Sequence, residues 1–214
     1  DGQKVGYADG VFFLDDGPAD LDDGNYGEGG DIVVNDHVHC LCGKLIVEGE
    51  TCTSCGSKAV AWTAWENKDA LPTDGYYYLT ETVTTATVNY KSANTCICLH
   101  GNDIVSKDGN RLIVVYKTAT VSITDCGSQP GKITGCTKDQ NGSTLRMEPG
   151  GVLNLYGGRV VENVSPGDGT IYAAVSNAEG IAGGEFNMYG GEISGNTARR
   201  GAIFAASGGN YAPT

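Results

Sequence analysis

The sequence lacks any long run of helix-forming residues, because alanine, leucine, glutamate and lysine never gather over a useful length. No apolar run approaches the ~20 residues that a membrane-spanning helix needs, and no signal peptide begins the chain. These absences argue against a helical protein. They also argue against membrane insertion within this chain.

Basic residues are few as well, at 14 Lys and Arg against 26 Asp and Glu, so the formal net charge is −12. Such a chain repels phosphate backbones, and nucleic acid is therefore not an expected partner. The acids concentrate in residues 1–36, where ten of them are accompanied by Lys4 alone. We predict that residues 1–36 form an acidic, Gly- and Asp-rich segment distinct from the rest of the chain.

Two interpretations of this acidic segment are open. One is a solvated tether, since its charge and glycine content work against burial. The other is Ca²⁺ binding by residues 20–25, Asp-Leu-Asp-Asp-Gly-Asn, which look like an acidic calcium loop. The spacing differs by one residue from that of an EF-hand loop, and the distal Glu is missing.

Glycine is abundant, with 33 residues, and it punctuates an internal repeat. Residues 150–164 align with residues 183–197, and a fainter copy covers residues 121–137. Each unit holds short apolar alternations between Gly-rich corners, and units of this kind must stack to bury their apolar faces. We therefore predict an all-β solenoid over residues 58–214, a right-handed parallel β-helix. A left-handed hexapeptide helix would need a strict short period, which is absent.

The repeat also predicts which side chains lie inside and which form the corners. Apolar residues of the aligned strands should point inward, and the equivalent corner residues Asn163 and Asn196 should form an amide ladder, with Cys136 in the same place one unit earlier. The residues predicted to lie inside are Leu153, Leu155, Phe186, Met188 and Ile193.

The ends of the solenoid lead to two further expectations. An open end exposes core and strand edges, so we expect Trp62 and Trp65 to cap it, although a sugar-stacking role is the alternative. Residues 207–214 start another repeat, which predicts further coils in a longer parent protein.

Several motifs together resemble a known family. These are Ala-Trp-Thr-Ala-Trp at 61–65, Gly-Tyr-Tyr-Tyr-Leu at 75–79, Cys-Leu-His-Gly-Asn-Asp-Ile at 98–104 and Phe-Asn-Met-Tyr-Gly-Gly-Glu-Ile-Ser-Gly-Asn-Thr at 186–197. The chain resembles the large, repetitive cell-surface proteins of gut Firmicutes that carry pectate-lyase-like right-handed β-helix domains. The resemblance covers residues 37–214 and leaves residues 1–36 outside it. It implies secretion and attachment to the bacterial cell surface.

A Cys- and His-rich stretch, residues 37–57, precedes the predicted solenoid. Two knuckles of closely spaced cysteines followed by Gly offer four sulfurs to a tetrahedral ion, which is a zinc-ribbon pattern. The first knuckle is one residue shorter than usual, so a histidine can replace a cysteine. We predict structural Zn²⁺, and the alternative is a pair of disulfides, which oxidising surroundings would favour. The candidate ligands are Cys40, Cys42, Cys52, Cys55, His37 and His39.

The remaining reactive residues are interpreted as structural. Cys96 and Cys98 share one face of their strand, and we predict that they fill apolar space or that one of them pairs with a cysteine of a later coil. His100 is predicted to be a turn residue.

No catalytic residues are predicted, although an enzyme is kept as an alternative. Polysaccharide lyases need acids gathered around Ca²⁺ beside a basic residue, and hydrolases need two facing carboxylates. Asp125, Glu162 and Glu192 fall at turns, and Arg159 in one repeat is replaced by Glu192 in the next. The expected function is therefore a secreted structural or adhesive surface module that contacts glycans or host surface components. The alternatives are a carbohydrate-binding module and a lyase or hydrolase acting on acidic glycans.

Overall fold

The computed structural model describes residues 4–8, 11–15, 37–138, 142–176 and 181–206. The chain divides into two compact units, residues 1–36 and residues 37–214. In the first unit, strand β1 (Lys4–Ala8) pairs antiparallel with β2 (Val11–Asp15). The predicted calcium loop at residues 20–25 and the start of a further repeat at 207–214 both lie outside the described residues.

The second unit consists of short strands, and its described residues contain no helix. None of the described residues forms a helix long and apolar enough to cross a membrane. The strands are β3 (Val38–His39), β4 (Val60–Ala61), β5 (Thr63–Trp65), β6 (Gly75–Leu79), β7 (Val83–Thr85), β8 (Val88–Tyr90), β9 (Asn94–Cys98), β10 (Ile104–Ser106), β11 (Ile113–Val115), β12 (Thr120–Thr124), β13 (Lys132–Thr134), β14 (Leu145–Met147), β15 (Val152–Leu155), β16 (Arg159–Val161), β17 (Val164–Ser165), β18 (Ile171–Ala173), β19 (Glu185–Met188), β20 (Glu192–Ser194), β21 (Thr197–Ala198) and β22 (Ile203–Ala205).

Most of these strands belong to three parallel sheets. Sheet one has the order β5-β6-β9-β12-β15-β19, sheet two the order β7-β10-β13-β16-β20, and sheet three the order β8-β11-β14-β18-β22. Over the described residues the chain passes through sheets one, two and three in that order five times, and we call each passage a coil. The predicted all-β, parallel architecture is thus confirmed, and the arrangement is compatible with a β-helix.

The core is built from apolar side chains that recur at the same position of each coil. In sheet one, Ile97, Ile123 and Leu155 lie in register on neighbouring strands, and all three are fully buried. Isoleucine and valine suit extended backbone, and a strand buried against other strands accepts their branched side chains readily. The predicted interior residues Leu153 and Leu155 are fully buried as expected.

The last coil departs from the prediction. Phe186 and Ile193 are only partly buried against the core, and Met188 is 45% exposed. The prediction that Met188 lies inside is therefore wrong. The reason is its position: β19 is the edge strand of sheet one, and within the described residues no further coil covers it.

The predicted corner ladder is present. The Asn163 side-chain amide donates to Oδ1 of Asn196 at 3.0 Å and to the Ile133 carbonyl at 3.0 Å, while the backbone N–H of Cys136 donates to Asn163 Oδ1 at 3.1 Å. Asn163 is almost fully buried. These bonds tie three successive coils together at one corner.

Residues 37–61, which we call the knob, pack against the outer face of sheet one. The buried Trp62 indole follows the knob and packs with Cys96 and Cys98, whose side chains lie on that outer face. Gly43 sits against the backbone of Asp125, where a Cβ atom would lie 2.6 Å from the carbonyl oxygen. Only glycine allows this close approach.

The two tryptophans have different environments. Trp62 belongs to the cluster beneath the knob, whereas Trp65 in β5 packs against the main core at the first edge of sheet one. The Trp65 indole N–H donates to the Ala70 carbonyl at 2.8 Å.

Candidate functional site

The knob is a hairpin that brings its four cysteines together. β3 and β4 pair antiparallel at its base, and an isolated bridge joins Thr51 to Lys58. Each cysteine pair is closed by a turn with a glycine at positive φ, at +78° for Gly43 and +72° for Gly56. The N–H of Gly56 donates to the Cys52 carbonyl at 2.8 Å, which folds the second knuckle back on itself.

The sulfurs of Cys40, Cys42, Cys52 and Cys55 all lie within 4.8 Å of one another. Cys40 and Cys42 are 3.3 Å apart at Sγ, and Cys42 and Cys52 are 3.7 Å apart. Cys40 and Cys52 are buried, whereas Cys42 and Cys55 are half-buried, and all four are free thiols. This group can hold a metal ion.

The pKa values within the group diverge because the thiols differ in burial and in hydrogen-bond partners. Burial and hydrogen bonding to Cys52 raise the pKa of Cys40 to about 12. At Cys55, burial acts to raise the pKa, but hydrogen bonds from the hydroxyl and the amide of Ser57 outweigh it and lower the pKa to about 6. A thiolate is the form that binds metal, so Cys55 is already suited to this role.

The two histidines proposed from the sequence lie elsewhere. The His37 ring stacks on Tyr78, with centroids 3.4 Å apart, and its Nε2 is 3.2 Å from Nδ1 of His100. The His39 ring is fully buried and stacks on Trp62, with centroids 4.3 Å apart. Neither belongs to the four-cysteine group.

Instead, the histidines join two other groups that include cysteines of the coils. One group contains His39, Cys98 and Cys126, and the other contains His37, His100 and Cys126. The sequence predicts that Cys98 fills apolar space or pairs with a cysteine of a later coil. The Cys98 thiol donates to the Cys126 sulfur at 3.2 Å, so the expected proximity to a later cysteine is present, with both thiols free.

This contact shapes the ionisation of Cys126. The hydrogen bond from Cys98 lowers the pKa of Cys126 to about 3, against the opposing effect of burial, and the nearby His39 and His100 imidazoles act in the same lowering direction. The same hydrogen bond, together with burial, raises the pKa of Cys98. His100 has a positive φ of 50° within a turn, which agrees with its predicted turn role.

Three carboxylates of the coils, those of Asp125, Glu148 and Glu162, are bound by neighbouring groups. Both Asp125 oxygens accept backbone N–H bonds, from Gly101 at 3.0 Å, Gly127 at 2.8 Å and Gly131 at 2.7 Å. Glu148 pairs with Arg146 at 2.6 Å, and Glu162 lies 3.4 Å from the Lys132 ammonium. Within the described ranges, the groups able to hold a metal contain cysteine and histidine and no carboxylate.

The outer face of sheet one carries a polar and aromatic ladder. Asn187 Nδ2 donates to Asn154 Oδ1 at 3.0 Å, and Asn154 Nδ2 donates to the Ser122 hydroxyl at 3.2 Å. Beside them the Tyr156 and Tyr189 rings stack, with centroids 4.6 Å apart.

Comparison with known proteins found no matching family model, no matching curated protein and no matching solved structure.

Proposed function

We propose that this chain is a non-catalytic structural or adhesive module of a secreted bacterial surface protein, folded as a right-handed parallel β-helix. One observation carries the proposal: the outward side chains of successive coils bind one another. Asn154 pairs with Asn187 and Tyr156 stacks on Tyr189. A surface built this way repeats the same features along a scaffold, as suits display or contact.

Handedness and closure are supported by the order in which the chain visits the sheets. Each return to sheet one adds a parallel strand beside the previous one, and such crossovers are right-handed in about 98% of cases. The position of Trp65 supports the expected cap, since its side chain packs on the core at the first edge of sheet one. The position of Trp62 favours a role in docking the knob, because its side chain fills the space beneath the knob.

The lack of catalysis is supported by how the carboxylates are used. A carboxylate that already accepts three backbone amides, as Asp125 does, is poorly placed to act as a general base or to bind Ca²⁺. Glu148 is engaged by the guanidinium of Arg146, which donates to both of its oxygens.

We further propose that the knob binds one structural Zn²⁺ through Cys40, Cys42, Cys52 and Cys55. Tetrahedral coordination with Zn–S bonds of about 2.3 Å separates the sulfurs by about 3.8 Å. The Cys40–Cys42 and Cys42–Cys52 sulfur separations, 3.3 and 3.7 Å, are close to that value. Two disulfides would instead draw the sulfurs into pairs at about 2.05 Å. Four thiolate ligands complete the tetrahedral coordination sphere and leave no open position for a substrate. The ion would therefore serve only to stabilise the knob.

An assay against acidic polysaccharides tests the main proposal. Pectin, pectate and mucin glycans are incubated with the protein, with and without Ca²⁺, and unsaturated products and reducing ends are measured. We expect no turnover. Turnover that disappears on Asp125→Ala or Arg146→Ala, in variants shown to remain folded, would refute it. Antibody labelling of intact producing cells tests the surface location.

A carbohydrate-binding role is the second candidate, because Tyr189 is 63% exposed beside a stacked Tyr156. Exposed aromatic faces and amides together can bind a sugar ring. Tyr189→Ala should then weaken binding in a glycan array, whereas Tyr116→Ala, at an exposed tyrosine between sheets three and one, should not. Equal binding by both variants would exclude this site.

A further inference from the structure

A second cluster of metal-binding side chains lies where the knob meets the coils. His39 comes from β3 of the knob, Cys98 ends β9, and Cys126 follows β12 by two residues. β9 and β12 are neighbours in sheet one, with Cys98 opposite Thr124, so the two cysteines lie on adjacent coils. The cluster therefore joins three segments that are remote in sequence.

The three ligand atoms are already close together. Cys98 and Cys126 are 3.2 Å apart at Sγ, and a ring nitrogen of His39 lies within 4.8 Å of both sulfurs. In tetrahedral zinc coordination, sulfur–sulfur separations are about 3.8 Å and sulfur–nitrogen separations about 3.6 Å. Small side-chain movements are enough to reach this geometry.

The environment of His39 is the independent sign of a missing ligand. Its Nδ1 lies 2.9 Å from the Cys40 carbonyl oxygen, which can only accept, so Nδ1 carries the proton. In the neutral imidazole, which is the form that binds metal, Nε2 then carries a lone pair. The Nε2 atom has no hydrogen-bond partner, and because His39 is fully buried, water cannot supply one. An unsatisfied buried polar atom is costly.

This arrangement is the one that metal-binding histidines adopt. A ligating imidazole donates its other N–H to a carbonyl or carboxylate, which fixes the tautomer and the orientation of the ring. Here the Cys40 carbonyl fills that role. A disulfide between Cys98 and Cys126 would leave His39 Nε2 unsatisfied, whereas a metal ion would satisfy all three groups.

We propose that His39, Cys98 and Cys126 form a second zinc site, separate from the four-cysteine group, that fastens the knob to the outer face of sheet one. Two thiolates and one imidazole suit Zn²⁺. His100, whose Nδ1 is 3.3 Å from the Cys126 sulfur, is a further donor beside this group. A bound ion would close one long loop between the knob and the coils, from His39 to Cys98, and a second between adjacent coils, from Cys98 to Cys126, and so restrict the unfolded chain.

The test compares metal content in matched variants of the full chain. Protein purified without chelator is saturated with Zn²⁺, desalted and measured by elemental analysis. The Cys126→Ala variant should bind about one zinc ion per chain fewer than the unaltered protein, whatever number of zinc ions the unaltered protein binds. The control is Cys96→Ala, which alters a buried cysteine of the same sheet face that belongs to no metal group and should retain the full content. Unchanged zinc in Cys126→Ala would overturn the proposal.

A second measurement starts from the unaltered protein, so its first result does not depend on any variant being folded. X-ray absorption of the zinc-loaded, unaltered protein should show imidazole nitrogen together with sulfur around the metal. Coordination by sulfur alone would overturn the second site while supporting the four-cysteine site. Mixed coordination that becomes sulfur-only in His39→Ala would support both. A disulfide between Cys98 and Cys126 in the metal-saturated protein would also contradict the second zinc site.

Discussion

The side chain of Asn163 donates a hydrogen bond to Asn196, its counterpart one coil further along the chain, at 3.0 Å. The same amide donates to the Val161 carbonyl at 2.9 Å, and its oxygen accepts from the Cys136 amide. Asn163 is 1% exposed, so these partners cannot turn to water if the side chain is removed.

Asn163→Ala should therefore lower the free energy of unfolding by about 3 kcal/mol, since it leaves several buried polar groups without partners. Asn196→Ala is the matched control. Asn196 is only partly buried, at the corner of the last described coil, and the loss should be about 1 kcal/mol. Urea denaturation followed by circular dichroism measures both. Equal losses would show that the deeper burial of Asn163 does not determine how much it stabilises the corner.

Leu155 and Met188 occupy the same register position on adjacent strands, yet only Leu155 is fully buried. Leu155→Ala creates a cavity and should cost about 3 kcal/mol of stability. Met188→Ala removes a side chain that is 45% exposed and should cost less than about 1 kcal/mol. The comparison uses the same denaturation experiment. A large loss for Met188→Ala would mean that another segment covers this edge in solution.

The repeat made much of the fold predictable. Residues 154 and 187 are 33 positions apart in aligned repeats, and the strands that contain them pair in parallel with these two residues in register. The corner asparagines were predictable for the same reason. Stacked repeats place equivalent residues next to each other, so alignment within one sequence translates directly into contacts.

The site was only partly predictable. The four knob cysteines lie close together in sequence, and their turns bring them together locally. The His39, Cys98 and Cys126 group could not be found this way, because its proximity depends on which sheet face the knob covers. The exposure of Met188 was missed for a similar reason, since no local pattern marks the strand that ends a sheet.

Because Tyr90 is buried, we expect the free energy of unfolding to fall at alkaline pH. Its side chain is buried, its hydroxyl donates to the Pro72 carbonyl at 3.0 Å, and burial raises its pKa above the ordinary value of 10.0. Above about pH 10 the unfolded state releases the phenol proton while the folded state keeps it, so stability falls as pH rises. Tyr90→Phe should be less stable at neutral pH by about 1 kcal/mol but should show a shallower decline above pH 10. Parallel curves for the two proteins would contradict this.

Trp62 should report on the proposed metal of the knob. Its indole is 2% exposed, stacks on His39 and donates to the His39 carbonyl at 3.0 Å, so it stays buried only while the knob is docked. A chelator that removes the proposed zinc should loosen the knob, because a hairpin of this size holds too little apolar surface to stay folded alone. Exposure of Trp62 to water should then shift the fluorescence emission to longer wavelength, and added Zn²⁺ should reverse the shift. In Trp62→Phe the remaining tryptophan, Trp65, lies against the main core and should respond little. An unshifted spectrum in protein shown by elemental analysis to have lost its zinc would mean that the knob stays docked without metal.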